Sequence, residues 1–270
     1  MTRNELIAAN LAWWDERAAL HAGSAFYRVD ELINGESALD SFEIEELPNE
    51  VGNSLLHLQC HIGTDTISWA RRGFQVTGVD FSAPALAQAR RIAQACGITA
   101  TWSVSDVYNA PDVLGRQFDV VYTGKGALTW LDDLRSWAQV VNQLLNPGGY
   151  LYLVEFHPIT WILPEDNWTI ANDYFTDGQP YIETDPGGSY AAPDEVTHSN
   201  ITAEWQHTVG EIISCIAGAG LTIEWFHEYD YTHFAQNSLL ERSSNGRRYR
   251  LPRGMPRLPL LYSLRARKPG

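Results

Sequence analysis

The sequence contains little cysteine, and several classes of protein are excluded by what it lacks. Three cysteines, Cys60, Cys96 and Cys215, occur among 270 residues, and an odd, sparse set does not form a disulfide framework. We therefore expect a reducing, cytoplasmic environment. No run approaches the roughly 18 apolar residues of a membrane-spanning helix, so we expect no membrane partner. Asp15 and Glu16 stand where a signal peptide would be apolar, so we expect no signal peptide.

Positive charge is also scarce. The 19 Lys and Arg residues are outnumbered by 33 Asp and Glu, which gives a formal net charge of −14. A nucleic-acid backbone or an anionic membrane requires a basic surface, so we expect neither as a partner. The charge is uneven, because residues 136–241 hold 15 acids and no Lys or Arg, whereas residues 242–270 hold nine Lys and Arg and no acid.

The middle of the chain alternates short apolar strands with helical patterns. Predicted strands cover 54–59, 74–80, 100–104, 118–122 and 150–156, and predicted helices cover 64–72, 82–95 and 131–145. Ser82 is a helix N-cap, Pro84 is tolerated in the first turn, and Pro147-Gly148-Gly149 predicts a turn. This alternation predicts a mostly parallel sheet of βαβ units, an α/β fold with helices on both faces.

The two ends of the chain complete this arrangement. Helices are predicted over 3–20 and over 41–47, the second ended by Pro48. Thr208 and Glu211 have the spacing of a capping box that opens a helix to about 219. Strands over 221–227 and 260–266 follow, and their connection is too short for a regular crossover helix. We therefore predict a closing antiparallel hairpin and seven strands in all.

Residues 157–205 show no clear period. A loop this long in a compact domain is usually functional, which predicts a lid inserted after strand five. Its aromatic residues either pack the lid onto the sheet or enclose a pocket for a small organic molecule, and they are Trp161, Trp168, Tyr174, Phe175, Tyr181, Tyr190 and Trp205.

The basic stretch near the carboxyl end has three interpretations. It folds against the acidic lid and helps to close it, it binds an anionic group of a substrate, or it is solvated. The arginines concerned are Arg247, Arg248, Arg250 and Arg253.

These patterns predict a single domain over residues 1–270 with four parts. A helical cap covers residues 1–50, a cofactor-binding core covers 51–156, the lid covers 157–206, and a helix with the closing hairpin covers 207–270.

Two motifs point to a nucleoside ligand. The first strand and its turn read LHLQCHIGTDT, and about 20 residues later the second strand ends at Asp80, which is the usual nucleoside-binding spacing. One carboxylate there accepts hydrogen bonds from both ribose hydroxyls, or else merely caps the next helix. Asp106, after the third strand, can accept a bond from an adenine amino group.

The chain resembles the class I S-adenosylmethionine-dependent methyltransferase family over roughly residues 50–160. The matching segments are LHLQCHIGTDT, GVDFS, SVSD, FDVVYTGKGALTWL and LLNPGGYLYLVE. The resemblance implies a Rossmann-like sheet, S-adenosylmethionine as methyl donor and no metal. It also implies methyl transfer to a small organic acceptor by in-line displacement.

The resemblance also implies which residues bind the cofactor. Gln59 and Gly63 would line its methionine part, Asp80 would hold the ribose, and Asp106 with Val107 would hold the adenine. The loop from Gly124 to Leu128 would lie under the sulfur. The full implied set is Gln59, His61, Gly63, Thr64, Asp80, Phe81, Ser82, Asp106, Val107, Gly124, Lys125 and Gly126.

Three positions depart from the family pattern. His57 replaces the usual acid of the first strand, and Gln59 and His61 replace two turn glycines. A branch of the family with an LQC-H-x-G turn is similar to this chain. The Gln59 amide could bind the amino-acid end of the cofactor directly.

A catalytic base is needed only if the acceptor must lose a proton. His157 follows strand five directly, so it is the first candidate, with a structural histidine at the lid hinge as the alternative. His21, Tyr27 and His207 are weaker candidates.

Three other functions compete with methyl transfer as interpretations of the sequence. A nicotinamide-dependent oxidoreductase requires G-x-G-x-x-G in the first turn, which is absent. A non-catalytic S-adenosylmethionine-binding protein of the same fold stays open, and a second copy of the chain is a possible partner. A metal site at the first turn is disfavoured, because His57 and Cys60 differ by an odd step on a strand and face opposite sides.

Overall fold

A seven-stranded sheet organises the chain in the computed structural model, which describes residues 1–47, 52–164, 166–184, 187–244 and 246–270. Its strands are β1 Ser54–Leu58, β2 Gln75–Asp80, β3 Thr101–Val104, β4 Phe118–Thr123, β5 Leu145–Phe156, β8 Thr222–Tyr229 and β11 Leu261–Arg267. Their spatial order is β3-β2-β1-β4-β5-β11-β8. The short strands β9 Glu241–Arg242 and β10 Tyr249–Arg250 pair with each other outside this sheet. β1 to β5 pair in parallel, and β11 is antiparallel to both β5 and β8. The predicted fold class is confirmed.

Eight described helices surround the sheet. They are α1 Arg3–Gly23, α2 Val29–Ile33, α3 Ser41–Glu46, α4 Thr64–Arg71, α5 Ala83–Ala95, α6 Ala110–Leu114, α7 Leu134–Leu144 and α8 Val209–Gly218. Pro48, the predicted end of the second helix, and the predicted boundary at 50/51 lie outside the described residues. No helix in the described ranges is long and apolar enough to cross a membrane.

The alternation along β1 builds a core on each face of the sheet. Leu56 belongs to a buried cluster that includes Trp137 of α7 and Ile216 of α8. Leu55, one residue earlier, belongs to a second cluster that includes Trp69 of α4. Each such buried side chain contributes roughly 1.5–3 kcal/mol. The strand's period of two therefore fixes helices on both faces.

Capping residues fix where the helices begin. The Ser82 hydroxyl accepts a hydrogen bond from Ala85 N at 3.1 Å, as predicted for the start of α5. The Thr208 hydroxyl accepts from Glu211 N at 3.1 Å at the start of α8. The Glu211 carboxylate lies 3.3 Å from His207 Nδ1, so it is the hydroxyl half of the predicted capping box that forms.

The predicted turn at Pro147-Gly148-Gly149 is wrong. β5 runs through these residues, with Phe118 paired to Leu145 and Val120 paired to Tyr150. Two steps along β4 therefore oppose five along β5, which makes the segment a bulge inside the sheet. Gly148 has φ +82°, and a Cβ on Gly149 would lie 2.8 Å from the carbonyl oxygen of Asp119.

The lid contains regular structure that sequence patterning missed. A short 3₁₀ helix, Pro158–Ile162, follows β5, and β6 Tyr181–Thr184 pairs antiparallel with β7 Ile201–Glu204. Each of these strands has four residues, which is too short for a period of two to stand out. We refer to β6 and β7 as the lid hairpin.

In the described ranges, the ion pairs of the basic stretch are with the N-terminal cap and with Asp230, which favours the cap over the lid as its place. Arg248 Nη2 lies 2.6 Å from Asp40 Oδ1, and Arg247 Nη2 lies 3.0 Å from Glu36 Oε2. Arg250 Nε lies 3.6 Å from Asp230. The cap provides carboxylates at a helix start and in a loop, where the arginines reach them. The sequence alone shows how many acids the lid holds, but not which acids lie near the arginines.

We predict that Gly149→Ala lowers the free energy of unfolding by about 1–3 kcal/mol, the range for overpacking. The added Cβ meets backbone oxygens of Asp119, Asn146 and Phe118 at 2.8–3.2 Å, and backbone cannot move aside cheaply. Urea denaturation measures the change. Gly218→Ala is the matched control, since nothing lies within 4 Å of its added Cβ. Equal stability of both variants would contradict the bulge geometry.

Candidate functional site

A cavity of about 1900 Å³ lies at the carboxyl ends of the parallel strands. Residues that follow or end β1, β2, β3, β4 and β5 line one side, and α1 and the lid hairpin line the other. Sites for a single small molecule usually measure roughly 300–1,000 Å³. The cavity therefore has room for two small molecules side by side.

The turn after β1 keeps a left-handed backbone without most of its glycines. Gln59, His61 and Gly63 have φ of 55°, 49° and 74°. A side chain in this conformation costs roughly 1–2 kcal/mol. The Gln59 amide donates to the carbonyl of Ala127 at 2.9 Å, and His61 N donates to Asp80 at 2.8 Å. These bonds offset the strain, so the shape of the turn survives the two substitutions.

Asp80 ties this turn to the end of β2. One carboxylate oxygen accepts from His61 N, and the other accepts from Ser82 N at 2.9 Å. The N-cap of α5 is Ser82, so Asp80 does more than cap a helix. Burial raises the pKa of Asp80 to about 6. Each oxygen retains acceptor capacity, and the side chain lines the cavity.

Most of the predicted cofactor residues line the cavity. They are Gln59, His61, Thr64, Asp80, Phe81, Asp106, Val107, Gly124, Lys125 and Gly126. Gly63 and Ser82 lie behind the described wall. Gly63 packs on the Trp102 indole, where a Cβ would come within 2.5 Å. Asp106 accepts from Tyr108 N at 2.8 Å, which starts a 3₁₀ turn at the end of β3.

Glu155 is a functional residue that the sequence analysis missed. Its buried carboxylate accepts hydrogen bonds from the backbone N–H groups of Gly126, Ala127 at 2.8 Å, Leu128 at 2.9 Å and Phe156 at 2.7 Å. Burial raises its pKa to about 6, while these N–H donors oppose that rise. Glu155 therefore holds the loop after β4 in place. An acid inside an otherwise apolar strand was the available signal.

Lys125 belongs to a buried group of charges at one end of the cavity. Its Nζ lies 2.7 Å from Glu43 Oε2 and 3.9 Å from Asp65 Oδ2. The Tyr122 hydroxyl lies 2.9 Å from Glu43 and 3.1 Å from Asp65. Burial lowers the pKa of Lys125, but the two carboxylates raise it above its usual value. Lys125 is therefore not an exposed lysine of its loop.

His57 lies beside this group and is neutral near pH 7. Its Nδ1 lies 2.8 Å from the Thr66 hydroxyl, and burial lowers its pKa to about 4. Its Nε2 faces Gly124, where an added Cβ would be 3.4 Å away from both His57 and Asp65. Asp65 therefore brings a carboxylate close to His57 and Gly124.

His157 is not part of the described cavity wall. Its Nδ1 accepts from Ile159 N at 3.1 Å, and its Nε2 lies 3.1 Å from Glu228. Only 6% of the residue is exposed. Both ring nitrogens are engaged in fixing the start of the lid, and this geometry favours the structural alternative over the catalytic one.

His21 and Tyr27 belong to an aromatic cluster under the lid. His21 Nδ1 lies 2.8 Å from His61 Nε2, and its Nε2 lies 2.6 Å from Ser189 Oγ. The hydroxyls of Tyr27 and Tyr190 lie 2.5 Å apart. Tyr27 lines the cavity, and His21 lies behind its described wall. Burial lowers the pKa of His21 to about 3, so its ring is neutral and connects the turn to the lid.

α1 fastens the lid over the cavity. The buried Arg17 guanidinium donates to the carbonyls of Gly188 at 2.8 Å and Ser199 at 2.7 Å. The Asn10 amide exchanges two hydrogen bonds of 2.8 Å with the backbone of Ala203 in β7. Polar side chains on a buried face of α1 thus hold the backbone of the lid. The lid is closed in this structure.

Comparison with known proteins identifies the part that forms the cavity floor. Residues 56–151 match the family described as methyltransferase domain. The ubiquinone biosynthesis O-methyltransferase of Cronobacter sakazakii is 30% identical to this chain over 140 residues. The match covers 52% of this chain and 54% of that protein, so the chain spans about half the length of the curated relatives it matches.

Solved structures are similar in fold to this chain over most of its length. An S-adenosylmethionine-dependent methyltransferase from Mesorhizobium loti has a TM-score of 0.59 and 22% identity, over 87% of this chain and 99% of that one. The DhpI–SAH complex has a TM-score of 0.59 and 15% identity, over 99% of both chains. The predicted resemblance to class I S-adenosylmethionine-dependent methyltransferases is confirmed.

We predict that His21→Gln reduces the acid sensitivity of the fold. The folded pKa of His21, about 3, lies below its unfolded value of about 6.5. Its contribution to stability is therefore complete above about pH 6.5 and is lost as the pH falls, by roughly 1.4 kcal/mol per pH unit. Urea unfolding at pH 7 and pH 5 should show the variant losing about 2 kcal/mol less than the wild type.

The matched control for this pH measurement is His198→Gln, which changes an exposed lid histidine. We expect it to lose as much stability as the wild type between pH 7 and pH 5. An equal loss for His21→Gln would contradict a neutral, buried His21.

Proposed function

We propose that this protein is an S-adenosylmethionine-dependent methyltransferase that acts on a small organic acceptor. The observation that supports this most strongly is the joint between Asp80 and the left-handed turn at Gln59, His61 and Gly63. It places an acid at the end of β2 beside a tight turn, which suits a nucleoside. The size of the cavity leaves room for an acceptor next to the cofactor.

The residues present fit this cofactor. Gln59 Oε1 is buried and has no hydrogen-bond partner among the described residues, so it can accept from the amino group of the methionine part. Asp65 and Lys125 offer one charge of each sign, which matches an ammonium and a carboxylate. We assign Asp80 to the ribose hydroxyls, and Asp106 with Val107 to the adenine.

Methyl transfer requires positioning more than covalent help from the protein. When bound, S-adenosylmethionine supplies an electrophilic methyl group on a sulfonium. Glu155 fixes the loop Gly126–Leu128, which would lie beneath the sulfur of the bound cofactor. Trp13, Trp14 and Trp130 line the cavity, and such walls exclude water and attract a cation.

The location, the partners and the division of the chain into parts also belong to this proposal. We infer a cytoplasmic location from the three unpaired cysteines, and no nucleic acid as partner from the charge of −14. A homodimer remains a prediction. The same holds for the division into cap, core, lid and closing hairpin.

We predict that Asp80→Asn weakens binding of S-adenosylhomocysteine by about 1–3 kcal/mol, the range for a lost charged hydrogen bond. The amide keeps the size of the side chain but can no longer accept on both sides. Isothermal titration calorimetry measures the affinity. Asp112→Asn, in an exposed position of α6, is the control. Unchanged affinity of Asp80→Asn, or binding of NADH but not of S-adenosylmethionine by the wild type, would refute the proposal.

We predict that Asp65→Asn weakens binding of the amino-acid end of the cofactor and leaves binding of its nucleoside end unchanged. The variant should bind S-adenosylhomocysteine about 10-fold more weakly, since a charged contact contributes about 1.5 kcal/mol or more. It should bind 5′-methylthioadenosine, which has no amino-acid end, as tightly as the wild type does. Calorimetry with both ligands tests this. Equal losses for both ligands would show that Asp65 acts on the nucleoside or on the fold.

A further inference from the structure

The lid hairpin presents one of its faces to the cavity. Tyr181 pairs with Glu204, and Glu183 pairs with Thr202, so the antiparallel register places all four on the same side. All four line the cavity. Ala203, between Thr202 and Glu204, is buried on the opposite side against Leu6 of α1. The hairpin therefore brings two carboxylates, Glu183 and Glu204, to the side of the cavity opposite the strand ends.

Glu204 is fixed beside the loop that follows β4. Trp205 N donates to the carbonyl of Thr129 at 2.8 Å, which joins the end of β7 to this loop. The Thr129 hydroxyl donates to Glu204 Oε2 at 3.4 Å. The preceding residues of the loop are those held by Glu155 and proposed to lie under the cofactor sulfur. The carboxylate of Glu204 is thus next to the place where a methyl group would be transferred.

The surroundings of Glu204 suit a proton acceptor. Burial and the negative charge of Glu183 raise its pKa to about 7, and the hydrogen bond from Thr129 opposes that rise. The loop contributes the Thr129 hydroxyl, and the neighbouring strand of the lid hairpin places Tyr181 opposite Glu204. An acid with a pKa near the working pH is most effective in general acid–base catalysis.

The ring nitrogens of the histidines predicted from the sequence as candidate bases make hydrogen bonds to other protein groups. His157 is held between Ile159 N and Glu228, and His21 between His61 and Ser189. His207 lines the cavity, but its Nε2 lies 2.7 Å from the carbonyl of Leu131. Within the part of the chain that the structure describes, the Glu204 side chain has by contrast one long hydrogen bond, which leaves its oxygens available to an acceptor.

We propose that Glu204 is the catalytic base of this methyl transfer, removing the proton from an O–H or N–H group of the acceptor. The inference rests on the proposed function. The oxygen or nitrogen lone pair forms the new bond to the methyl carbon, and the carbon–sulfur bond breaks with its electron pair going to sulfur. The acceptor proton passes to Glu204, and the products are the methylated acceptor and S-adenosylhomocysteine. Glu183 tunes the base.

The first test needs no acceptor. Infrared difference spectra between pH 5 and pH 9, wild type minus Glu204→Gln, should contain a carboxylic-acid band that disappears with a midpoint of about 7. Glu183→Gln should move this midpoint to lower pH, because the like charge is removed. A midpoint below pH 5, or one unaffected by Glu183→Gln, would overturn the assignment.

The second test uses defined acceptors, with formation of S-adenosylhomocysteine as the readout. The panel consists of catechol, 2-(indol-3-yl)ethanol and tryptamine, which can lose a proton, and thioanisole, which cannot. We expect Glu204→Gln to lower kcat for the protic acceptors by about 10²–10⁴, the usual range for a general base. The affinity for S-adenosylmethionine should stay unchanged. Turnover of the catechol or the alcohol assigns O-methylation, and turnover of tryptamine assigns N-methylation.

Two controls separate failure of this inference from failure of the proposed function. Glu195→Gln removes an exposed lid charge away from the cavity wall and should keep full activity. A wild type that does not bind S-adenosylmethionine would refute the proposed function itself. A wild type that binds the methyl donor but methylates only thioanisole, or none of the panel, overturns the role of Glu204. Glu204→Gln activity within threefold of wild type does so as well.

Discussion

The carboxylate of Glu155 is the contact on which the cavity floor depends. It receives backbone hydrogen bonds from Gly126, Ala127, Leu128 and Phe156, so the end of β5 dictates the path of the loop after β4. The next residue of that loop, Thr129, accepts from the end of β7. One buried acid thereby connects the rigid sheet to the lid. Removing it would leave several N–H donors unsatisfied, each at a cost of roughly 1–3 kcal/mol.

The turn after β1 shows how a backbone shape outlasts the residues usually found in it. Glycine is favoured at positive φ because it has no Cβ, yet Gln59 and His61 adopt the same conformation here. Each is compensated by a hydrogen bond to a neighbouring segment, Ala127 or Asp80. The larger side chains then reach where glycine cannot, since His61 touches the lid through His21.

The local spacing of apolar residues was sufficient to predict the sheet, the capped helix α5 and the closing antiparallel strands. Those elements are set by neighbours in the chain, and the spacing of apolar residues records them. The bulge through Gly149, the lid hairpin and the partners of Arg248 depend on segments far apart in sequence. His157 illustrates the limit, because its position after a strand was visible and the carboxylate of Glu228 beside it was not. Glu155 was visible only as an acid in an apolar strand.

The pairing of the basic stretch with the N-terminal cap has a consequence for encounter with ligands. Arg247 and Arg248 direct their charge to Glu36 and Asp40, and residues 136–241 keep 15 acids without Lys or Arg in the sequence. The lid therefore lines the cavity with acids and with no Lys or Arg, and these acids contribute a negative field. Such a field speeds the approach of cations and repels anions, over distances that shrink to about 8 Å at physiological ionic strength. A sulfonium would be drawn in by the same acids that turn anionic metabolites away.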